Sequence, residues 1–359
     1  MDCEAFRAVL PAEFQRRFLI KRVRADGRSF LTYRQPRICS NTLANCCGSA
    51  SVRAGNNYYL AGVRCEVGRA AARECSGGIR HSLKSFISGE LGNDSLESGE
   101  RCNVAPTGRI VATVEFPKIC GAEFTDAGGP AVNAPLLISG AITDVLNSSF
   151  VFDSSQLRLR GADTRERGSR DDDGITDEEN GAHSSSENEH TEAQLGREFA
   201  WHLNVHIVCL EYDGNPLDFA LLAAVAALEN TVLPGVCWDR TAKWWKQLPP
   251  EGNTSSATIT ETSGSLVTFG ARKLFLSSRP ISVTFSNVMS QWWVVDPSRE
   301  EENLGTWLSM VFMKNKWHVL RLGGTPVGAS VIKMLQVKAG AIASGADAAL
   351  SEAVQNNFH

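Results

Sequence analysis

Apolar positions in this chain change their period repeatedly, and each change marks an element. Val205 to Tyr212 (VHIVCLEY) is largely apolar without strict alternation, the pattern of a strand covered on both faces. Asp213-Gly214-Asn215 interrupts it with turn-forming residues. From Leu217 to Leu228 the chain is apolar almost all round and rich in Ala, which predicts a buried helix lying close to a sheet. Asn215 suits the N-cap, Pro216 the first helical position, and Asp218 the first turn, where the helix dipole favours a carboxylate. This strand, turn and helix form the predicted centre of an α+β or α/β domain.

The rest of the pattern arranges itself around that centre. Residues 11–23 (PAEFQRRFLIKRV) place Phe14, Phe18 and Leu19 on one helical face and Arg16, Arg17, Lys21 and Arg22 mainly on the other. Short strand-like runs, SASVRA and YYLAGVRCEV, with Gly-Asn and Gly-Ser punctuation predict hairpins between Ile38 and Val67. Arg109–Phe116 (RIVATVEF) reads as a strand, and Asn133–Ser148 as a helix capped by Asn133. Strands are expected at Pro280–Phe285, Gln291–Val295, Gly305–Met313 and Lys316–Leu322, and a long helix from Val327 to Asn356. The order, strands then helix twice over, implies two similar halves of about 130 residues each. The first half covers 11–160 and the second 197–359.

Three stretches depart from this periodicity. Residues 70–107 are rich in Gly, Ser, Arg and Glu and read as a surface insertion. Residues 161–196 hold Asp171-Asp172-Asp173, Asp177-Glu178-Glu179 and a serine run with almost nothing apolar, so a disordered acidic insertion is expected. Around 238–262, Trp238, Trp244, Trp245 and Pro249-Pro250 suggest an irregular excursion.

Composition narrows the classes. Of 359 residues, 43% are hydrophobic, enough for a full core, and the net charge of −4 argues against a surface that grips nucleic acid everywhere. Ten cysteines occur without a C-x-x-C pair, and the N-terminus lacks the blocks of a signal peptide. Reduced thiols in a soluble intracellular protein are therefore expected. The longest apolar run is too short for the about 20 residues that span a bilayer.

Candidate chemistry is sparse. Asp213 and Asp218 bracket the start of the central helix, where two carboxylates serve either as acid, base or metal ligands, or simply as turn and dipole partners. The loop before the Asn133 helix holds Gly128-Gly129, yet no Lys, Arg or His occurs from Ile119 through Leu157. A phosphate held there by backbone amides alone, with Glu123 and Asp126 nearby, would be poorly compensated. His202 and His206 share a strand face without metal-ligand spacing, and no G-x-S-x-G, P-loop or G-x-G-x-x-G occurs. No metal and no cofactor are expected. Arginines 22, 24, 28, 34, 37, 53 and 64 lie near predicted turns and strands; converging, they would track an RNA backbone.

Four blocks in order, FQRRFLIKRVRADGRSF, GSASVRAGNNYYLAGVRCEV, HIVCLEYDGNPLDFALLAAVAALENTVLP and VVDPSREEENLGTWLSMVF, resemble the RNase PH-like subunits of the RNA exosome ring. The third is the most specific. The chain is most similar to the subgroup that includes the catalytically inert archaeal ring subunit, and the resemblance covers most of it outside the three irregular stretches. It implies an α+β fold of the RNase PH type (ribosomal protein S5 domain 2-like), with duplicated β-α-β-β-α halves and long surface insertions.

It further implies a six-membered ring of RNase PH-like neighbours, RNA-binding cap subunits, and RNA threaded to an associated hydrolytic nuclease. A nuclear (including nucleolar) and cytoplasmic location, with no membrane partner, goes with that. Active relatives attack the 3′-terminal phosphodiester with inorganic phosphate, held by basic and hydroxyl residues in the loop before the first-half helix. They place an acidic residue at the turn before the second-half helix. Asp213 matches the acidic position, but Cys120–Asn133 carries no positive charge. The expectation is a non-catalytic ring subunit, with Arg24, Arg28, Arg53 and Arg64 as RNA contacts. The alternative is an active phosphorolytic 3′-to-5′ exoribonuclease using Asp213 or Asp218, its phosphate site completed by a neighbour. The stretch NTLANCCGSASV also lacks the acidic Asp-Gly turn common in the family at that point.

Overall fold

A computed structural model describes residues 3–70, 108–121, 124, 134–159, 199–239, 244–248 and 267–355. The acidic insertion 161–196 and nearly all of the insertion at 70–107 lie outside these residues. Two helices open the chain, α1 (Cys3–Val9) and α2 (Pro11–Ile20). Pro11 occupies the first turn of α2, where its missing N–H is harmless. Strands β1 (Arg37–Ser40), β2 (Gly48–Ala54) and β3 (Asn57–Arg69) follow, then β4 (Ile110–Glu115), α3 (Ala134–Leu146) and β5 (Phe199–Glu211). These strands form one sheet in the order β1-β2-β3-β5-β4, antiparallel except for the parallel β4–β5 pair.

After α4 (Pro216–Glu229) come β6 (Val232–Leu233), β7 (Val236–Asp239), β8 (Trp244–Gln247), β9 (Val267–Phe269) and β10 (Arg272–Lys273). A second, wholly antiparallel sheet is built from β11 (Ile281–Val288), β12 (Trp292–Val295), β13 (Gly305–Met313) and β14 (Lys316–Gly323), in the order β12-β11-β13-β14. The short helix α5 (Arg299–Glu302) lies between β12 and β13, and α6 (Ala329–Gln355) ends the described chain.

Helix α4 packs on β2, β3 and β5 of the first sheet and on β11 of the second. Being covered from both sides, it needs no polar face, and every residue from Leu217 to Leu228 is buried. Burial of each Leu or Phe side chain there contributes about 1.5–3 kcal/mol. Close approach is enforced at Gly48 of β2, where an added Cβ would stand 2.5 Å from the Ala227 carbonyl oxygen. Strand β5 sits centrally in the first sheet between β3 and β4, so the acidic insertion does not divide the chain into one sheet before it and one after it. Its two faces also differ: Leu203, Val205 and Ile207 are buried against the core, whereas His206 on the other face is exposed. The expectation of equal cover on both faces is corrected accordingly.

The region expected to be an irregular excursion is in part a three-stranded sheet, β8-β7-β9. Trp238 and Trp245 lie 5.0 Å apart between ring centroids and both meet Phe199, while Trp245 also meets Phe269. Its clustered aromatics build a local core, which composition alone did not separate from a loop; residues 249–266 lie outside the described region.

The outer edge of β4 is sealed by side chains. Ser139, Thr143 and Asn147 recur every four residues along α3, so they form one polar stripe. Asn147 accepts from the Ile110 N–H at 3.0 Å and donates to its carbonyl. Thr143 Oγ1 accepts from the Ala112 N–H at 3.0 Å and donates to its carbonyl, and Ser139 Oγ accepts from the Val114 N–H at 2.8 Å. The opposite stripe, Ile138, Ile142 and Val145, enters the core. Cys39, Cys46, Cys47, Cys65, Cys120, Cys209 and Cys237 are free thiols, and no described helix is long and apolar enough to cross a membrane.

Candidate functional site

The turn between β5 and α4 is the geometric centre of the candidate site. Gly214 has φ +79, and a Cβ there would come within 2.5 Å of the Arg299 nitrogen and the Ser298 carbonyl carbon; only glycine fits both demands. Asn215 precedes α4 in the left-handed region and makes no side-chain cap, contrary to the expectation for it. Its amide instead donates to Asp218 Oδ2 at 2.9 Å and to Asp296 Oδ1 at 2.8 Å. Asn57 holds the turn from below, donating to the Gly214 carbonyl and accepting the Asp213 N–H.

Opposite this turn, the segment after α2 delivers three arginines to the residues around Asp296. Arg34 donates from Nε to Asp296 Oδ2 at 2.8 Å and from Nη2 to Oδ1 at 2.6 Å, and its backbone N–H reaches Oδ2 at 3.0 Å. Arg28 Nη1 adds a bond to Oδ2 at 2.8 Å. Asp296 is fully buried, and burial by itself would raise its pKa. The Arg34 hydrogen bonds and the charges of Arg34 and Arg28 outweigh that and hold it below the usual carboxylate value. One layer away, Arg24 pairs with Glu301 through Nε at 2.9 Å and Nη2 at 2.5 Å, and donates to the Val295 and Asp296 carbonyls.

The two carboxylates flanking the α4 start have different fates. Asp213, one third exposed, receives Arg34 Nη1 at 3.1 Å, and the same nitrogen bonds its carbonyl at 2.8 Å. Asp218 is buried and accepts from the Thr284 N–H at 2.8 Å and the Thr284 hydroxyl at 2.9 Å. Burial pushes its pKa up to about 6 despite hydrogen bonds from Asn215 and Thr284 that favour the ionised form. It ties α4 to β11 rather than complementing the helix dipole at a surface.

Aromatic rings fill the space beside the turn. Phe116 and Phe124 stack with centroids 4.7 Å apart, and Tyr212 meets both edge-on at 5.6 and 5.2 Å. The Tyr212 hydroxyl donates to Glu302 Oε2 at 2.8 Å. The Arg299 guanidinium lies over the Tyr212 ring, 5.9 Å from its centroid. Among the described residues, no group of three or more His, Cys, Asp or Glu side chains is placed to hold a metal ion.

The arginines expected to contact RNA separate into two classes. Arg24 is fully buried with its donors spent on Glu301 and carbonyls, which corrects its assignment: a side chain with no exposed surface cannot reach a phosphate. Arg28 is only 15% exposed and is paired with Asp26 and Asp296. Arg53 on β2 and Arg64 on β3 are 60% and 80% exposed, each near one exposed acid, Glu211 and Glu66. His206 lies 3.0 Å from Glu115, and His202 bonds the Arg69 carbonyl. Asp296 and Glu301, the acids that organise the site, were not singled out by the sequence pattern. They lie 262 and 277 positions from Arg34 and Arg24, separations no local periodicity reports.

Comparison with known proteins agrees with this architecture. The profile of the 3′ exoribonuclease family, domain 1 (RNase PH), matches residues 32–234. The exosome complex component rrp43 of Schizosaccharomyces pombe is 24% identical over 331 residues, 91% of this chain and 90% of that protein. Among solved structures, a chain of the Archaeoglobus fulgidus exosome with RNA bound to the active site is similar with a TM-score of 0.56, at 20% identity over 98% of each chain. An archaeal exosome core chain aligns with a TM-score of 0.54, at 20% identity over 92% of this chain and 91% of that one. With the matched profile spanning both β2–β3 and the β5–α4 turn, the chain belongs to the RNase PH 3′ exoribonuclease family.

Proposed function

We propose that this protein is a non-catalytic ring subunit of an RNA exosome, supporting 3′-to-5′ RNA processing and decay as scaffold and channel wall. The similarity to rrp43 over nine tenths of both chains supports ring membership. The observation that carries inactivity is the state of Asp213: its carboxylate is engaged by Arg34, which is itself locked to Asp296. Phosphorolysis also needs cations to place inorganic phosphate and to spread the charge of the transferring group. From Ile119 to Leu157 there is none, and of the described residues beside that stretch Phe116, Phe124 and Tyr212 pack ring on ring.

In this reading the neighbours are other RNase PH-like subunits, with RNA-binding cap subunits above and an associated hydrolytic nuclease receiving the RNA. Arg53 and Arg64 are the proposed phosphate contacts, since they are exposed and on one face of the first sheet. A nuclear, nucleolar and cytoplasmic distribution follows from such a role.

The test is phosphorolysis by the reconstituted ring, supplied with RNA and inorganic phosphate and read as nucleoside diphosphates. Asp213→Ala in this subunit is expected to leave product formation unchanged. Products from a ring whose other subunits are inactive, abolished by Asp213→Ala, would overturn the reading.

A further inference from the structure

The two larger sheets have four edges: two are closed by hydrogen bonds, and a third is short and lies against a helix. Ser139, Thr143 and Asn147 seal β4. On β12 the Val295 N–H donates to the Phe30 carbonyl at 2.9 Å, and Arg24 Nη1 donates to the Val295 carbonyl at 2.9 Å. Only four residues long, β1 is packed by α6. The fourth edge, β14, runs for eight residues and pairs with β13 alone. Among the described residues no backbone group on its outer side has a hydrogen-bond partner.

An open edge of this length is a template for another strand, and folded proteins normally blunt such edges. Here every residue of β14 keeps at least part of its surface exposed. Glu229 and Asp347 line one cavity with Lys314, but both are paired with Arg279. From Asn303 to Ala346 no Asp or Glu occurs, whereas Lys314, Lys316, Arg321, Lys333 and Lys338 all do. Lys316 is exposed and has no acidic partner among the described residues.

We propose that β14 is completed by an extended, acidic strand from a neighbouring subunit of the assembly, which adds to the second sheet as a fifth strand. A polypeptide edge offers alternating N–H and C=O groups that match those of β14, and its acids would meet Lys314 and Lys316. RNA fits less well: its backbone offers phosphate acceptors, and the β14 carbonyls would face them unpaired. The inference rests on ring membership but not on the inactivity of the Asp213 site.

Hydrogen exchange followed by mass spectrometry tests it on the full chain, alone and in the purified assembly. The amides of 316–323 that point away from β13 are expected to exchange rapidly in the lone chain, those bonded to β13 slowly, and the outward set at least about tenfold more slowly in the assembly, without added RNA. Lys316→Glu is expected to reduce incorporation about three- to tenfold while leaving the fluorescence-monitored unfolding midpoint unchanged. Protection of the outward-pointing amides already present in the lone chain, no change in them on assembly, or protection that appears only with RNA would each overturn the proposal. Failure of the chain to co-purify with RNase PH-like subunits would instead overturn ring membership, so the two failures are distinct.

Discussion

Asp296→Asn tests the physical account of the site directly. The substitution keeps the side chain's shape and removes the charge that three hydrogen bonds from Arg34, one from Arg28 and one from Asn215 converge upon. Arg34 is 7% exposed and Asp296 not at all, so the arginine would be left buried with only the partly exposed Asp213. Breaking one partner of such a pair costs about 3–5 kcal/mol, because the remaining charge stays desolvated. With a urea m-value of about 3 kcal/mol/M, the unfolding midpoint should fall by about 1–1.7 M. The natural reporter is tryptophan fluorescence, since Trp292 and Trp293 lie in β12 beside the network. Adding Arg34→Met should recover part of the loss, giving a coupling of about 1 kcal/mol or more. The sign with pH is also set. Asp296 has a lowered folded pKa, so its contribution is complete above the ordinary carboxylate value and fades as pH drops through the folded value. The gap between wild type and Asp296→Asn should therefore shrink in acid. A midpoint within about 0.2 M of wild type at neutral pH, equivalent to about 0.6 kcal/mol at that m-value, would refute the reasoning.

Asp218 should behave oppositely: its folded pKa is raised from 3.8 to about 6, so the native state holds a proton that the unfolded chain has released. Stability should fall as pH rises from about 4 to about 6 and then level, and the difference between wild type and Asp218→Asn, measured by urea unfolding across that window, should follow that course. At the β4 edge, Thr143→Val leaves the Ala112 N–H and carbonyl without their side-chain partner. A loss of about 1–2 kcal/mol is expected, the lower part of the range for orphaned groups because the site is half-buried, with Thr143→Ser retaining most of the stability in the same unfolding assay.

Much of the fold is legible along the chain because it is local. The apolar, Ala-rich run after Pro216 could only be a helix covered on every side, and α4 lies between two sheets as that requires. The Gly214 turn, the β2–β3 hairpin and the two strands before α6 follow from turn chemistry and period. Length and order of the strands near the C-terminus were readable for the same reason. The absence of cations from Ile119 to Leu157 was also plain in the sequence.

What the tertiary structure alone decided is who meets whom. Asn215 and Asp218 look like a cap and a dipole partner, and their residue types are right for both roles. Asp296 and Thr284, more than sixty positions away, take their hydrogen bonds instead. Arg24 and Arg53 are alike as sequence, yet one is sealed against Glu301 and the other faces solvent. The small sheet β7–β9 depends on Phe199 arriving from β5, and the sealing of β4 on a stripe of α3. Periodicity reports how a segment is buried, because burial recurs at the helical or strand repeat. It carries nothing about which distant carboxylate ends a given arginine's search for a partner, since that is settled only when the two sheets close on α4.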